Sequence, residues 1–387
     1  DLGPKTLIGE IRMNFPERLP KLSKGLSNSP WGNALMITAA LVLISLAVFK
    51  EIEPVLLLPI GFGCLLANIP LGGMTAAEGM MGVLYDAGIK TELFPLLIFI
   101  GVGAMIDFSP LLSQPGMVLL GAAGQFGIFG VLILAMAIGF PLNEAASIGV
   151  IGAIDGPTSI FVSTKLAPEL LAPIAVAAYS YMSLIPIIQP PLMKLLTTKK
   201  ERLVRMEYAP RPVSQKTLIL FPIVITLVVG LLVPEATPLI SMLMLGSILK
   251  ISGVVDRLSK SAQNEIINIA TLFLGLAISA TMSASAFLNW DTGKIMLLGL
   301  VAFMLDTVAG LLFGKFMCRT SGYKINPLIG AAGISAFPMA GRIAAKMAND
   351  EDPDNFILMH AMGANTGGQL GSVIAGGVLL AIVSKLI

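Results

Sequence analysis

One acidic residue and a proline interrupt an apolar stretch in the first half of the chain. The sequence IGAIDGPTSIF, residues 151–161, contains Asp155 and Pro157. A carboxylate among apolar residues is costly unless it faces a cavity, an ion or a partner, so Asp155 marks a functional site. Proline has no N–H and pushes aside the carbonyl four residues earlier, which here belongs to Ala153. A carboxylate beside freed carbonyls could bind a small hard cation such as Na⁺.

The second half contains a comparable break. In INPLIGAAGISAFPMAGR, residues 325–342, Pro338 frees the carbonyl of Ile334 in the same way. Broken apolar segments at corresponding places in two halves are typical of ion transporters that are built from repeats. We therefore expect one site that combines Asp155 with residues 326–342.

The composition indicates a membrane protein. Of the 387 residues, 55% are apolar and 12% are charged, and the mean hydropathy is +0.87, whereas about a quarter of a soluble domain is charged. The net charge of +2 is too small to indicate a nucleic-acid partner. The cysteines, Cys64 and Cys318, have no metal-binding spacing, and no P-loop, GxGxxG or HExxH motif occurs.

Apolar segments long enough to cross a bilayer recur along the chain. About 20 apolar residues span a membrane, and several segments are short or interrupted, so we expect roughly nine to eleven crossings plus discontinuous or re-entrant pieces. The segments are 32–49, 54–70, 93–110, 116–141, 145–164, 169–196, 216–234, 237–252, 264–288, 293–318, 326–349 and 355–387.

A basic connector divides the chain nearly in half. The predicted units are a basic, interfacial amino-terminal segment (1–30), a first transmembrane repeat (31–196), a connector (197–215) and a second transmembrane repeat (216–387). Excess lysine and arginine predicts that the connector and the amino terminus are cytoplasmic. These basic segments could be simple topology signals or a docking surface for a partner.

The two halves resemble each other in sequence. Three echoes occur in the same order: EPVLLLPIGFGCLL with ATPLISMLMLGSIL, FIGVGAMIDFSP with FLGLAISATMSA, and IGAIDGPTSIF with IGAAGISAFPM. Such duplication is common in transporters with inverted repeats. We therefore predict an all-α polytopic membrane protein, in which two inverted repeats with broken helices or re-entrant hairpins meet at a central site.

These motifs also resemble a known family, the β subunits of biotin-dependent, sodium-pumping decarboxylases. The resemblance runs from about Pro54 to the carboxyl end, and GAIDGPTSIF, AYSYMSLIPIIQPP, NPLIGAAGISAFPMAGR and MGANTGGQLGS carry it most specifically. It implies a carboxybiotin decarboxylase that consumes a proton and couples this reaction to Na⁺ export. The acid or acyl-CoA that is decarboxylated would be chosen by a separate carboxyltransferase.

The resemblance also implies which residues form the site. The catalytic residues would be Asp155, Tyr179, Tyr181 and Arg342, the residues for carboxybiotin Arg342, Ser335 and Asn326, and the Na⁺ ligands Asp155, Asn326, Ser335, Asn365 and Gly330. Simpler roles remain open. The polar residues could join helices, the tyrosines could belong to an aromatic belt, and Arg342 could reach toward lipid headgroups. Thr158 and Ser159 are further possible oxygen ligands.

The partners follow from the same resemblance. We expect a carboxyltransferase, a biotin-carrier subunit and a small single-span membrane subunit, because this chain lacks a biotin attachment site and biotin must be carried by a partner. A homo-oligomer within the complex, contact with membrane lipid, and a bacterial or archaeal plasma membrane are also expected.

Two other functions are compatible with the residues alone. A stand-alone sodium-coupled carboxylate symporter or sodium–proton antiporter would also use broken helices and a buried aspartate, whereas a passive anchor would not need them. Three further residues have simpler interpretations: Asp107 as a helix cap, Asp306 as a second ion ligand or a helix contact, and His360 as a structural hydrogen-bonding residue.

Overall fold

The computed structural model describes residues 31–51, 53–207 and 212–387, and every regular element in them is helical. The predicted interfacial segment, residues 1–30, lies outside the described residues. The helices before the connector are α1 Trp31–Phe49, α2 Pro54–Ala67, α3 Met80–Leu84, α4 Leu93–Met105, α5 Ser109–Ser113, α6 Val118–Ala123, α7 Phe126–Ala137, α8 Leu142–Gly149, α9 Gly156–Leu166 and α10 Leu171–Leu196. The helices from the connector onward are α11 Lys199–Arg202, α12 Gln215–Leu232, α13 Thr237–Ile251, α14 Asp256–Ser261, α15 Ile267–Ser279, α16 Ala284–Phe287, α17 Trp290–Thr320, α18 Met339–Glu351 and α19 Leu358–Val383.

Short 3₁₀ and π segments join several of these helices. The 3₁₀ segments are Pro115–Met117, Val150–Ala153, Pro168–Leu170, Pro234–Ala236 and Pro327–Gly333, and the π segments are Tyr85–Ile89 and Ala262–Ile266. Each π segment lies at the equivalent place in its half, just before α4 and α15. The order of elements is therefore repeated along the chain.

Fewer helices have the length and composition of a membrane span than the sequence predicted. Among the described residues there are seven, or eight if the pair Met80–Ile89 and Leu93–Met105, bent by 61°, counts as one span. The prediction of nine to eleven was therefore too high by this measure. Residues 142–166 and 327–351 are each divided into short pieces, so neither provides a continuous helix.

Helices of the two halves pack against each other reciprocally. Helix α2 packs on α15, and its counterpart α13 packs on α4, the counterpart of α15. In the same way α10 packs on α17 while α19 packs on α6. The three sequence echoes fall on α2 and α13, on α4 and α15, and on the two broken segments. A two-fold relation between the halves would produce this reciprocal packing. The inverted orientation of the halves stays a prediction.

The first broken segment is interrupted at the residue before Asp155. The 3₁₀ segment ends at Ala153, Ile154 has a left-handed backbone with φ of 52°, and Asp155 is the N-cap of α9. Pro157 lies in the first turn of α9, where a helix does not need its N–H. The chain therefore stops and restarts its helix around the carboxylate.

The second broken segment begins and ends with its own helix-breaking residues. Asn326 caps the 3₁₀ segment Pro327–Gly333, because its Oδ1 accepts the N–H of Leu328 at 3.0 Å. Residues 334–338 are non-helical, and the Phe337–Pro338 peptide bond is cis. Helix α18 then leads away toward the connector.

The connector is fastened to both ends of this second broken segment. Arg202 pairs with Glu351 at 2.7 Å, and Arg205 binds Asp352 through two nitrogens, at 2.7 and 2.9 Å. The amide nitrogen of Asn326 donates to the carbonyls of Arg202 and Val204, at 2.9 and 2.8 Å. Hydrogen bonding from Arg205 lowers the pKa of Asp352, so this pair is ionised at neutral pH. Both ends of the second broken segment are thus tied to the connector.

Glycines allow backbones to approach closely where the long helices cross the broken segments. A Cβ atom at Gly310 of α17 would lie 2.2 Å from the carbonyl oxygen of Gly330, and a Cβ at Gly330 would lie 2.0 Å from that of Gly310. Small residues at helix crossings are the usual means of close packing in membranes. The position of the 3₁₀ segment therefore depends on this glycine pair.

We predict that Gly310→Ala lowers the free energy of unfolding by about 1–3 kcal/mol, because the added methyl group meets backbone that cannot move aside. Thermal unfolding of the purified chain in detergent measures this change. Gly293→Ala is the matched control on the same helix, since a Cβ there meets no atom within 4 Å. Equal melting temperatures for the two variants would contradict the prediction.

Candidate functional site

Asp155 is buried between α9 of the first half and α19 of the second. Its side chain is 6% exposed. The Oδ2 atom accepts three hydrogen bonds, from Thr158 Oγ1 at 2.7 Å, Gln369 Nε2 at 2.7 Å and Ser372 Oγ at 3.0 Å. Neutral donors from both halves therefore hold one carboxylate, as a buried charge requires.

The other carboxylate oxygen is much less engaged. Among the described residues, Oδ1 of Asp155 accepts only the backbone N–H of Thr158, at 3.5 Å, which is a long hydrogen bond. Oδ2 has no remaining capacity after three donors, whereas Oδ1 has free lone pairs. Oδ1 is therefore the atom at which a cation or a proton could bind.

Amide and hydroxyl groups hold the second broken segment beside this site. The carbonyl of Ile334, which Pro338 cannot satisfy, accepts Asn365 Nδ2 at 2.6 Å. Ser335 Oγ donates to the Gly368 carbonyl at 2.9 Å. Ile154 and Ile334 belong to the same apolar cluster, so the two breaks lie next to each other. Asp155 itself is hydrogen-bonded to α9 and α19, while the second break joins the same region through the apolar cluster and through its own hydrogen bonds to α19.

Two glutamines donate hydrogen bonds to the backbone at and beside the second broken segment. Gln125 Nε2 donates to the carbonyls of Gly333 and Gly368, at 3.4 and 3.3 Å, and Gln189 Nε2 donates to that of Ala331 at 2.7 Å. Because each amide nitrogen donates to these carbonyls, the amide oxygens of the two glutamines face away from them. Among the described residues, four buried oxygens near this backbone have no hydrogen-bond partner: Gln125 Oε1, Gln189 Oε1, Asn365 Oδ1 and Thr366 Oγ1.

These oxygens fit the chemistry of an alkali cation. Hard cations bind carboxylate, amide, hydroxyl and backbone carbonyl oxygens, and unwound helices coordinate Na⁺ in other transporters. Oxygens that are buried and unpartnered are otherwise costly, at about 1–3 kcal/mol each. These unpartnered oxygens are therefore of the chemical types that bind Na⁺.

The two predicted tyrosines lie on α10 and contact different neighbours. The ring of Tyr179 packs on the residue that follows Asp155, since a Cβ at Gly156 would lie 2.0 Å from its Cζ. Tyr181 donates a hydrogen bond to the carbonyl of Met296 on α17. As expected for residues two positions apart on a helix, they do not share a face.

Three other predicted residues are not bonded to Asp155. Asn326 uses its whole amide group to cap its own segment and to hold the connector. Gly330 lies at the crossing with α17. Arg342 is exposed on α18 and forms no ion pair or hydrogen bond with the described residues. Ser335 and Asn365 are therefore the predicted second-half residues that lie closest to the meeting of the two breaks.

Asp107, His360 and Asp306, for which the sequence suggested simpler roles, each contact a different part of the fold. Asp107 Oδ1 accepts the N–H of Ser109 at 2.8 Å, as a capping residue does. His360 is buried and hydrogen-bonds the backbone of Glu207 in the connector. Asp306 is fully buried, and its Oδ1 accepts the N–H of Gly127 at the start of α7. It is thus a second buried carboxylate, on the α7 side of α17.

Sequence reasoning named Thr158, which donates to Asp155, but missed the second-half residues that do so. Gln369 and Ser372 lie within the motif MGANTGGQLGS, from which only Asn365 was selected, and Gln125 and Gln189 were not considered. A buried glutamine in an apolar segment is a signal similar to that of Asp155, because its amide needs a partner. That signal could have identified all three glutamines.

Comparison with known proteins gives consistent matches over nearly the whole chain. The family model described as "Na+-transporting oxaloacetate decarboxylase beta subunit" matches residues 32–383. The methylmalonyl-CoA decarboxylase subunit beta of Veillonella parvula is 55% identical over 354 residues, covering 92% of this chain and 94% of that protein. The glutaconyl-CoA decarboxylase subunit beta of Acidaminococcus fermentans is 51% identical, covering 91% and 94%. The oxaloacetate decarboxylase beta chain of Klebsiella pneumoniae is 46% identical, covering 93% and 97%.

We predict that Ser372→Ala weakens Na⁺ binding about tenfold, because it removes one of three hydrogen bonds that stabilise the charged form of Asp155. The rise in melting temperature of the purified chain with increasing Na⁺ concentration measures the affinity. Ser384→Ala is the control on the same helix, since its hydroxyl bonds only to the helix backbone at Leu380. Unchanged Na⁺ affinity in Ser372→Ala would contradict this assignment.

Proposed function

The chain belongs to the family of β subunits of Na⁺-transporting decarboxylases, and on this basis we propose how its residues couple decarboxylation to Na⁺ export. It is a multi-pass membrane protein and one subunit of a decarboxylase complex. Family membership favours this function over a stand-alone symporter or antiporter. The proposal rests on the buried carboxylate of Asp155, whose Oδ2 accepts three hydrogen bonds while its Oδ1 has free lone pairs.

The reaction we propose is the decarboxylation of carboxybiotin that a partner presents. The bond between the ureido nitrogen and the carboxylate carbon breaks, and CO₂ leaves. The electron pair stays on nitrogen, which takes up one proton and becomes N–H. Little covalent help from protein is needed, so the main requirements are a positioned carboxylate and a proton source.

Asp155 links this proton to the sodium ion. Oδ1 can hold Na⁺ or carry a proton, and occupation by one excludes the other because both use the same lone pairs. Release of Na⁺ then leaves a carboxylate that takes up a proton, and loss of that proton to the reaction restores the form that binds Na⁺. Chemistry and transport are thereby coupled at one atom.

The other predicted residues support this exchange in different ways. Asn365 and Ser335 supply oxygens near the broken backbone, and a tyrosine of the pair Tyr179 and Tyr181 relays the proton. The side chain of Arg342 pairs with none of the described residues, and its planar fork suits the carboxylate of carboxybiotin. Asn326 and Gly330, which we predicted as Na⁺ ligands, act in this proposal by positioning the second broken segment.

The complex would also contain a carboxyltransferase, a biotin-carrier subunit that bears the biotin, and a small single-span membrane subunit. We further propose a homo-oligomer of this chain within the complex, and a bacterial or archaeal plasma membrane as its location. In the proposed orientation, the connector and the amino terminus face the cytoplasm, where the biotin carrier would approach.

We predict that Asp155→Asn abolishes Na⁺ transport and lowers the rate of carboxybiotin decarboxylation at least about 100-fold, because an amide can neither release a proton nor carry charge. Na⁺ uptake into vesicles containing the whole complex and CO₂ release from free carboxybiotin measure the two activities. Asp107→Asn is the control, because that carboxylate only caps a helix at the surface. Retention of both activities in Asp155→Asn would overturn the proposal.

A further inference from the structure

A cleft of about 420 Å³ lies between α10 and α18, on the path from the connector to the two breaks. Its lining residues are Pro186, Pro190, Lys194, Ile343, Lys346, Met347, Asp350 and Glu351. We propose that this cleft binds the carboxylated ureido ring of carboxybiotin, with Lys194 and Lys346 binding its carboxylate. This inference rests on the proposed function and adds the place at which the substrate enters.

The two helices that form the cleft extend from the connector toward the two breaks. Helix α10 carries Tyr179 beside Gly156 at its inner part and ends at Leu196, next to the connector. Helix α18 starts just after the second break and ends at Glu351, which Arg202 of the connector holds. The cleft between them therefore begins at the connector surface and runs inward. Its volume lies in the range of small-molecule sites, about 300–1,000 Å³.

The charges along this cleft favour an anion. Lys194 and Lys346 are exposed and form no ion pair or hydrogen bond with the described residues. Arg342 lies one helical turn inward of Lys346 on the same face of α18 and is equally unpaired. Of the two carboxylates, Glu351 is already neutralised by Arg202, and the side chain of Asp350 pairs with none of the described residues. Two lysines without an ion pair in the described part of the chain thus line the cleft with one such carboxylate, and Arg342 adds a third positive charge beyond the cleft.

The proline residues of α10 add a backbone acceptor. Pro190 has no N–H to give to the carbonyl of Pro186, so this carbonyl lacks its normal helical partner at the wall of the cleft. A carboxylated ureido ring presents a carboxylate, one N–H and one carbonyl oxygen. The lysines match the carboxylate and the ring carbonyl, and the freed backbone oxygen matches the N–H.

An apolar cluster separates the inner end of the cleft from Asp155. Ile343, which lines the cleft, packs on a cluster that contains Ile154 and Ile334, the residues at the two breaks. Ile154 immediately precedes Asp155. The bound ring would therefore meet an apolar wall on the side facing Asp155 and would have no direct contact with that carboxylate. The lysines hold the carboxylate of the substrate, and the proton from Asp155 reaches the ring nitrogen through the tyrosine of the proposed function.

The experiment measures KM and kcat for free carboxybiotin in the purified complex, at saturating Na⁺. We expect Lys346→Gln and Lys194→Gln each to raise KM about fivefold, since each removes one exposed charge contact worth about 1 kcal/mol, and kcat to stay within about twofold. Lys346→Arg should restore KM because it keeps the charge. Lys385→Gln, an exposed lysine at the end of α19, is the control and should leave KM unchanged.

The outcomes separate this inference from the proposed function. If the wild-type complex decarboxylates free carboxybiotin but neither cleft variant changes KM, or if Lys385→Gln changes it equally, the cleft is not the binding site. If the wild type does not decarboxylate free carboxybiotin at all, the proposed function itself fails. The Na⁺ concentration giving half-maximal activity should stay the same in both cleft variants, because the ion binds on the other side of the apolar wall.

Discussion

The structure depends on one buried carboxylate that the two halves of the chain share. Asp155 begins a helix in the first half, and Gln369 and Ser372 of the second half donate to it. A buried charge with too few donors would be expelled or neutralised, so these hydrogen bonds from the second half stabilise the charged form of Asp155. Any movement of one half against the other changes the hydrogen bonds of this group. That makes Asp155 a suitable point at which to couple transport to chemistry.

The breaks in the two helices leave space for this carboxylate and for the oxygen atoms around it. Breaking a helix in a membrane is costly because its carbonyls lose their partners. Here side chains replace those partners, as Asn365 does for Ile334 and Gln189 does for Ala331. The replacement leaves buried amide oxygens unpartnered, which prepares the region for a cation. The side chains that donate to the carbonyls at the breaks are therefore the same ones whose free oxygens could bind an ion.

The sequence was sufficient to predict the two broken segments and the buried Asp155 between helices, but not the contacts of this residue. Asp155, the two breaks and the repeated order of elements were recognisable because each departs from an uninterrupted apolar helix. Gln369 and Ser372 were missed, because their importance depends on which face of α19 turns toward α9, and sequence spacing does not determine the rotation of a helix. For the same reason the sequence left open whether Arg342 faces the site or the surface, and the structure places it at the surface.

The number of spans was overestimated for a related physical reason. Hydropathy measures how apolar a segment is and does not register whether its helix is continuous, so it could not show which of the twelve segments are broken, as 326–349 is at the 3₁₀ helix Pro327–Gly333. Close packing makes such pieces possible, because Gly310 and Gly330 let two backbones touch. Short buried segments of this kind are apolar because protein, and not lipid, surrounds them.

The most direct test of exclusive binding at Asp155 is the number of protons released when Na⁺ is added to the purified protein in weakly buffered solution. If ion and proton compete for one carboxylate oxygen, Na⁺ should release up to about one proton per chain at a pH where the site is protonated, and Asp155→Asn should release none. Binding of Na⁺ to the wild-type protein without any proton release at any pH would contradict the account.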